Sequence, residues 1–196
     1  MKGLIRMANK AEYRSALRSK KLIKESFIEL LMEKPFDKIT VTDIVTRANI
    51  NRGTFYAHYS DINRLVHAIE EEIVDALCKL LLELKYPNPM EDPLPLFLKI
   101  SEYLDESKEL IYALLHSNNT SAFIFQLPDL IARQLISSES LEHDIRLDPL
   151  FLSRCRFYAG GAASLYAAWF QGALDGSLTD VAYTLEKIVK EQNDKV

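Results

Sequence analysis

Apolar residues recur at helical spacing along most of the 196-residue chain. In the first third of the chain, one helical face is formed by Ile23, Phe27, Leu30 and Leu31. This pattern predicts a first helix from about Ser15 to Lys34, which Pro35 ends because the residue before a proline avoids helical backbone angles. Residues 1–14 are polar, basic and aperiodic, so we expect them to form a flexible arm.

Two short helices are predicted next, about four residues apart. The first spans about Val41 to Ala48, with Thr40 as its N-cap. The second spans about Arg52 to His58, with Asn51 as its N-cap. Asn49 lies between them, where the chain is expected to turn through left-handed backbone angles, which asparagine tolerates better than most residues. This arrangement is typical of a helix-turn-helix unit.

The rest of the chain also shows helical periodicity. A long helix begins near Asp61 and ends before the proline-rich segment 86–95. Further helices are predicted over about 94–116 with a break near Ser107, over 121–137, over 149–174, and after a capping box of Ser177 and Asp180. We therefore expect an all-α fold of about nine helices in total.

Charge is distributed unevenly along the chain. Residues 1–60 hold 12 Lys/Arg and 6 Asp/Glu, whereas residues 61–196 hold 12 Lys/Arg and 22 Asp/Glu. The net charges of +6 and −10 sum to the −4 of the whole chain. A basic head on an acidic body suggests that a polyanion contacts the head, although a solvated charged surface is the alternative explanation.

Other classes of function find less support in the sequence. Cys78 and Cys155 stand far apart in apolar helical contexts, which favours reduced core residues over a disulfide or a metal site. The N-terminus has no apolar core of a signal peptide, and no apolar run approaches the ~20 residues that cross a bilayer. We therefore expect a cytoplasmic protein with no membrane partner and no metal or other cofactor.

An enzyme is the alternative class, but its candidate catalytic groups are few. They are the pair His143 and Asp144, and His116 near Asn118. Neither set has a nucleophile or metal-ligand spacing around it. The sequence therefore indicates a protein that is not an enzyme.

The second short helix carries more polar and aromatic groups than its stability requires. Phe55 can be buried, which leaves Asn51, Arg52, Thr54, Tyr56, His58 and Tyr59. A helix of this kind suits the major groove of DNA, where its N-terminal residues would face the base edges.

The segment TVTDIVTRANINRGTFYAHYSD, residues 40–61, resembles the DNA-binding domain of the TetR/AcrR family. The fitting residues are Thr40, Val41, Asp43, Ile44, Ala48, Ile50, Gly53, Thr54, Phe55, Tyr56, His58, Tyr59, Asp61 and, beyond the segment, Leu65. Asn49 and Asn51 replace the usual turn glycine and capping serine, and Ile62 stands where many members have a phosphate-binding lysine. The resemblance implies an arm at 1–14, a DNA-binding domain at 15–66 with its motif at 40–59, and an effector-binding and dimerisation domain at 67–196.

The resemblance also implies roles for single residues of this motif. Arg52, Gly53 and Thr54 would lie nearest the base edges, and the guanidinium of Arg52 matches the O6 and N7 atoms of guanine. The caps Thr40 and Asn51 belong to the same predicted site. Phosphate contacts or positioning of the helix are implied for Thr42, Tyr56, His58 and Tyr59. For Tyr59, packing in the core is the alternative.

The resemblance implies a homodimer, because a palindromic operator presents two half-sites. The predicted dimer interface lies on the last two long helices and comprises Phe157, Gly160, Gly161, Leu165, Ala168, Trp169, Val181 and Leu185. The alternative is that these residues pack inside one chain. Candidate walls of a small-molecule effector pocket are Phe97, Tyr103, Tyr112, His116, Phe123, Phe125 and Tyr166. For each of them, a plain core position is the favoured alternative.

The expected function is that of a repressor that binds its operator as a dimer and is released or modulated by the effector. The alternative is a regulator that has lost ligand control, or one that activates transcription through another protein.

Overall fold

The computed structural model describes residues 2–83, 92–115, 120–137 and 150–193. Within these ranges the secondary structure is entirely helical, which confirms the predicted all-α fold. A single 3₁₀ turn spans Phe36–Lys38. The nine described α-helices are α1 (Lys2–Glu33), α2 (Val41–Arg47), α3 (Arg52–His58), α4 (Ile62–Glu83), α5 (Leu94–Glu106), α6 (Lys108–Leu115), α7 (Thr120–Ser137), α8 (Phe151–Phe170) and α9 (Leu178–Asn193).

The chain divides into two compact units, an N-terminal unit of Met1–Glu70 and a C-terminal unit of Glu71–Val196. None of the helices in the described ranges is long and apolar enough to cross a membrane.

The N-terminal unit is built around the buried face of α1. Side chains from α1, α2, α3 and α4 meet in its core, and those with no exposed surface are Ile23, Phe27, Ile44, Phe55 and Leu65. The first helix ends before Pro35, as the sequence predicts, but it begins at Lys2 rather than near Ser15. Residues 2–14 are thus helical, and their assignment as a flexible arm stays a prediction.

The predicted caps of the two short helices are confirmed. Thr40 and Asp43 form a capping box, in which the Thr40 Oγ1 accepts from the Asp43 amide at 3.2 Å and the Thr40 amide donates to Asp43 Oδ2 at 2.8 Å. The Asn51 Oδ1 accepts from the amide of Thr54 at 2.7 Å. Asn49 turns the chain between the helices with a φ of 51°, in the left-handed region.

The C-terminal unit has a core in which α5, α8 and α9 pack together. Its buried residues are Phe97, Leu104, Ala162, Tyr166, Phe170, Leu178, Val181, Ala182, Leu185 and Val189. Near the start of the same unit, Cys78 of α4 is buried and not part of a disulfide, as predicted, and its Sγ lies 3.8 Å from the carbonyl oxygen of Ile131. The side chain of Cys155 lies outside the described part of the chain.

Two of the predicted helix boundaries in this unit are confirmed and one is wrong. Ser107 separates α5 from α6, and Ser177 and Asp180 form the capping box of α9. The helix predicted to reach Leu174 ends at Phe170, because Gly172 adopts a φ of 72° and its amide bonds back to the carbonyl of Trp169 at 2.9 Å.

Candidate nucleic-acid interface

Helix α3 presents one buried and one exposed face. Phe55 has no exposed surface, whereas 54% of the surface of Tyr56 is exposed. Arg52 and Gly53, in the first turn, are also exposed. Tyr59 is only 3% exposed, and its ring centroid lies 5.9 Å from that of Phe55. The structure therefore places the ring of Tyr59 in the core, which is the alternative position considered from the sequence.

Arg52 and Thr42 contact each other across the two short helices. A terminal nitrogen of the Arg52 guanidinium, Nη2, donates a hydrogen bond to the Oγ1 of Thr42 in the first turn of α2. Both side chains are exposed. Two residues that the sequence assigns to separate roles are thus joined on one surface.

The cap residues act on the backbone of their own helices. Asn51 Oδ1 also accepts from the hydroxyl of Thr54 at 3.0 Å, so these two side chains are engaged with each other. A Cβ built on Gly53 would lie 3.2 Å from the same Oδ1, tighter than an ordinary contact. A glycine here leaves the cap undisturbed, and it keeps the start of α3 open to close approach by another surface.

His58 faces α1 rather than open solvent. Its Nε2 lies 2.7 Å from the Oγ of Ser19, and the histidine side chain is half-buried. Ser19 also lies 3.0 Å from the carbonyl oxygen of Ala16, to which its hydroxyl can donate. Ser19 was not predicted to belong to the site, and its contact holds the end of α3 against α1.

Two ion pairs fix α2 to the end of α1. The Arg47 guanidinium donates to both oxygens of Glu33 at 2.6 and 2.5 Å, and the Lys34 Nζ lies 2.8 Å from Asp43 Oδ2. The bonds from Lys34 and from Thr40 lower the pKa of Asp43 to about 2. Sequence patterns did not single out Glu33, Lys34 or Arg47, yet these residues set the orientation of the helix that carries Thr42.

The candidate effector residues fall into three groups. Phe97, Phe123 and Tyr166 are buried, Tyr103 is half-buried, and Tyr112 and Phe125 are exposed. Burial raises the pKa of Tyr166 to about 12, and burial also raises the pKa of Tyr103. His116 lies outside the described residues, as do Asn118, His143 and Asp144. Within the described ranges, no three His, Cys, Asp or Glu residues cluster in a way that could hold a metal ion.

The candidate dimer residues occupy different sides of α8 and α9. Phe157 is 63% exposed and Gly161 is also exposed, whereas Val181 and Leu185 are buried in the core of the C-terminal unit. The remaining four, Gly160, Leu165, Ala168 and Trp169, are half-buried. A Cβ on Gly160 would lie 3.8 Å from Cγ of Pro128, so this glycine packs against α7 within the same chain.

Comparison with known sequences assigns the N-terminal unit to a family. Residues 27–69 match the family model described as bacterial regulatory proteins, tetR family. The uncharacterized HTH-type transcriptional regulator YvdT of Bacillus subtilis (strain 168) is 40% identical over 52 residues, which are 26% of this chain and 27% of YvdT. YxbF of the same strain is 33% identical over 69 residues, 33% of this chain and 18% of YxbF. The chain thus matches only 27% and 18% of the lengths of these relatives.

Solved structures share the fold over most of both chains. A TetR transcriptional regulator from Streptococcus agalactiae 2603V has a TM-score of 0.60 at 20% identity, over 92% of this chain and 98% of that one. The dihydroxyacetone kinase operon activator DhaS has a TM-score of 0.58 at 20% identity, over 89% and 95%. Thermus thermophilus FadR, a TetR-family repressor solved with lauroyl-CoA, has a TM-score of 0.50 at 21% identity, over 88% and 93%.

These identities show the fold alone, whereas the helix-turn-helix motif and the family model concern the N-terminal unit. The motif and the family model show that the N-terminal unit carries the DNA-binding domain of the TetR family of bacterial regulatory proteins, and the solved structures show that the fold of the whole chain is shared with TetR regulators.

Proposed function

We propose that this protein is a DNA-binding transcriptional repressor that binds a palindromic operator as a homodimer and is released by a small-molecule effector. The observation that carries the proposal is the exposed face of α3. Arg52, Gly53 and Tyr56 are open to solvent, while Asn51 caps the helix and Phe55 anchors it in the core. A capped, anchored helix with an exposed guanidinium and phenol is suited to contact base edges and phosphates in a major groove.

The charge of the chain supports the same assignment. Residues 1–60 have a net charge of +6 within a chain of net charge −4. A positive N-terminal region attracts DNA, and the acidic remainder disfavours DNA contact elsewhere on the molecule.

A homodimer follows from the shortness of α3. A helix of seven residues reads few base pairs, and two such helices read half-sites about 34–36 Å apart in a two-fold complex. We place the dimer surface on the exposed sides of α8 and α9, where Phe157, Gly161, Tyr183 and Ile188 are open to solvent. Val181 and Leu185 would then support this surface from the core behind it.

An effector site is proposed among the buried aromatic residues of the C-terminal unit. Phe97 and Phe123 offer apolar contact surface, and Tyr103 and Tyr166 add hydroxyl groups. Such a mixture suits an apolar molecule with a few polar groups. FadR, which shares the fold, was solved with lauroyl-CoA, so this compound is a reasonable first probe.

Selection of duplexes from a random-sequence library, followed by fluorescence anisotropy with the selected duplex, tests DNA binding. We expect an inverted repeat and an affinity that falls steeply with salt. Arg52→Ala should cost about 1–3 kcal/mol of binding free energy and relax the preference at one position of each half-site. Arg133→Ala removes the same charge from an exposed site of the acidic unit and should leave binding unchanged. Failure of the wild-type protein to bind any duplex in a salt-dependent way would overturn the proposal.

Sedimentation equilibrium tests the dimer. Phe157→Glu, on the proposed surface, should shift the protein towards monomer and weaken operator binding. Phe125→Glu makes the same change at a residue of α7 that is 84% exposed and should leave the dimer intact. An unchanged molar mass for the Phe157 variant would exclude this surface.

A reporter gene under the selected operator tests the sign of regulation. Deleting the regulator should raise expression if it represses and lower expression if it activates. Lauroyl-CoA, added to the anisotropy assay, should lower operator affinity if it is an effector, and Phe123→Ala should weaken that response.

A further inference from the structure

We propose that Thr42 is a positioning residue for base recognition: its hydroxyl oxygen holds the guanidinium of Arg52 in the orientation that selects guanine. The inference rests on the proposed function and concerns how the same surface discriminates between bases. It gives Thr42 a role in sequence preference, in addition to the phosphate contact implied by the family resemblance.

The geometry leaves Arg52 competent to bind a base while Thr42 holds it. A guanidinium has five N–H donors, and the bond to Thr42 Oγ1 uses one of them, on Nη2. Whichever Nη2 proton is used, a complete two-donor edge remains, formed either by the two terminal nitrogens or by Nε and Nη2. A two-donor edge is what the O6 and N7 acceptors of guanine require.

The hydroxyl of Thr42 is left with a donor of its own. Its oxygen accepts the hydrogen bond from Arg52, so its proton is available to an acceptor such as a phosphate oxygen. The Thr42 side chain can then contact a phosphate of the duplex and at the same time hold the Arg52 guanidinium that contacts the base. Because phosphate contacts set the register of a protein on DNA, the phosphate contact of Thr42 would also set the position of Arg52 relative to the base.

Thr42 is suited to this role because its backbone is held firmly. It lies between Thr40 and Asp43, which form the capping box of α2. The ion pairs Lys34–Asp43 and Glu33–Arg47 join the same helix to α1. Arg52, by contrast, has a long exposed side chain that samples many rotamers unless a neighbour restrains it. A short side chain on a fixed helix is therefore restraining a long one.

The test compares base preference with overall affinity. Thr42→Val keeps the shape of the side chain but removes the acceptor, and Thr42→Ser keeps the hydroxyl. Thr46→Val is the matched control, because Thr46 is also exposed and lies one helical turn along α2. Anisotropy titrations compare two duplexes. The first is the selected operator. In the second, one guanine is replaced by adenine, namely the guanine whose selection is lost in the Arg52→Ala variant.

We expect Thr42→Val to reduce the preference for guanine about three- to tenfold, the effect of losing one hydrogen bond of ordinary strength. Thr42→Ser should restore the preference, and Thr46→Val should leave it unchanged. In an Arg52→Ala background, Thr42→Val should have no further effect on base preference, whatever it does to overall affinity.

Several outcomes would overturn the inference. A guanine preference that is unchanged or raised in Thr42→Val would exclude positioning by Thr42. Thr42→Val would also be excluded as acting through Arg52 if it lowered the guanine preference equally in the wild-type and Arg52→Ala backgrounds. These results leave the proposed function intact, since the wild-type protein still binds its operator. Absence of wild-type binding to any duplex would instead remove the proposed function, and this inference with it.

Discussion

The hydroxyl oxygens of Tyr166 and Ser101 lie 2.9 Å apart in the interior of the C-terminal unit. The Tyr166 hydroxyl also lies 3.0 Å from the carbonyl oxygen of Phe97, and the Ser101 hydroxyl lies 2.8 Å from that of Leu178. Each hydroxyl has one proton, so donation runs either from Tyr166 through Ser101 to Leu178, or from Ser101 through Tyr166 to Phe97. The first arrangement joins α8, α5 and the start of α9, and the second joins α5 and α8, in an interior where any unpaired polar group would be costly.

We expect Tyr166→Phe to lower the free energy of unfolding by about 1–2 kcal/mol at neutral pH, because buried partners lose a hydrogen bond. The pKa of Tyr166 is raised from 10 to about 12, so the stabilisation is fully present below pH 10 and is lost as the pH rises towards 12. Urea unfolding at pH 7 and across this alkaline range measures both effects. Tyr13→Phe, at a residue 65% exposed, is the control and should change neither.

The turn between α2 and α3 should be sensitive to the shape of residue 49. Asn49 has a φ of 51°, a conformation that costs an ordinary L-residue about 1–2 kcal/mol and glycine nothing. Asn49→Val should therefore destabilise the protein by about that amount, whereas Asn49→Gly should be tolerated. Thermal unfolding of both variants checks this prediction, and equal midpoints would contradict it.

Acid should weaken the attachment of α2. The bonds from Lys34 and Thr40 lower the pKa of Asp43 from 3.8 to about 2. The stability that Asp43 contributes is thus present above pH 3.8 and is lost as the pH falls towards 2. Asp43→Asn should flatten the stability profile in this range, while Asp37→Asn, at an exposed residue of the 3₁₀ turn, should leave the slope unchanged. Chemical unfolding at a series of acidic pH values provides the comparison.

The absence of a lysine at the start of α4 should weaken DNA binding. Ile62 is the first residue of α4, behind Asp61, whose Oδ1 accepts from the amide of Arg64 at 2.8 Å. Ile62→Lys should raise operator affinity and increase the slope of log K against log salt by about 1 for each added phosphate contact. Leu130→Lys adds the same charge to an exposed site of α7. An equal gain from both variants would mean that net charge alone is responsible.

The sequence predicts local features of this protein well and long-range contacts poorly. The caps Thr40 and Asn51 bond to groups three residues away, so residue type and spacing are enough to identify them. Ser19 and His58 are 39 positions apart, and Glu33 and Arg47 are 14 apart. No periodic pattern connects such pairs, since their meeting depends on how whole helices pack.

Helical periodicity also identifies an apolar face without identifying its partner. Val181 and Leu185 were predicted to line a dimer interface, and the structure places them in the core beside α5 and α8. A buried interface within one chain and a buried interface between two chains leave the same signature in a single sequence. The exposed Phe157 and Tyr183 are distinguishable from core residues only once the packing is known.

The packing of α9 on α5 has a consequence for the order in which the chain folds during synthesis. The N-terminal unit is compact and comprises Met1–Glu70, so all of its residues are available early in translation. In the C-terminal unit, Phe97 and Leu104 are covered by residues of the last helix, Leu178–Asn193. The apolar surface of α5 that these residues cover therefore stays exposed until residues 178–193 have been synthesised. Premature termination within α9 would release chains that aggregate through that surface.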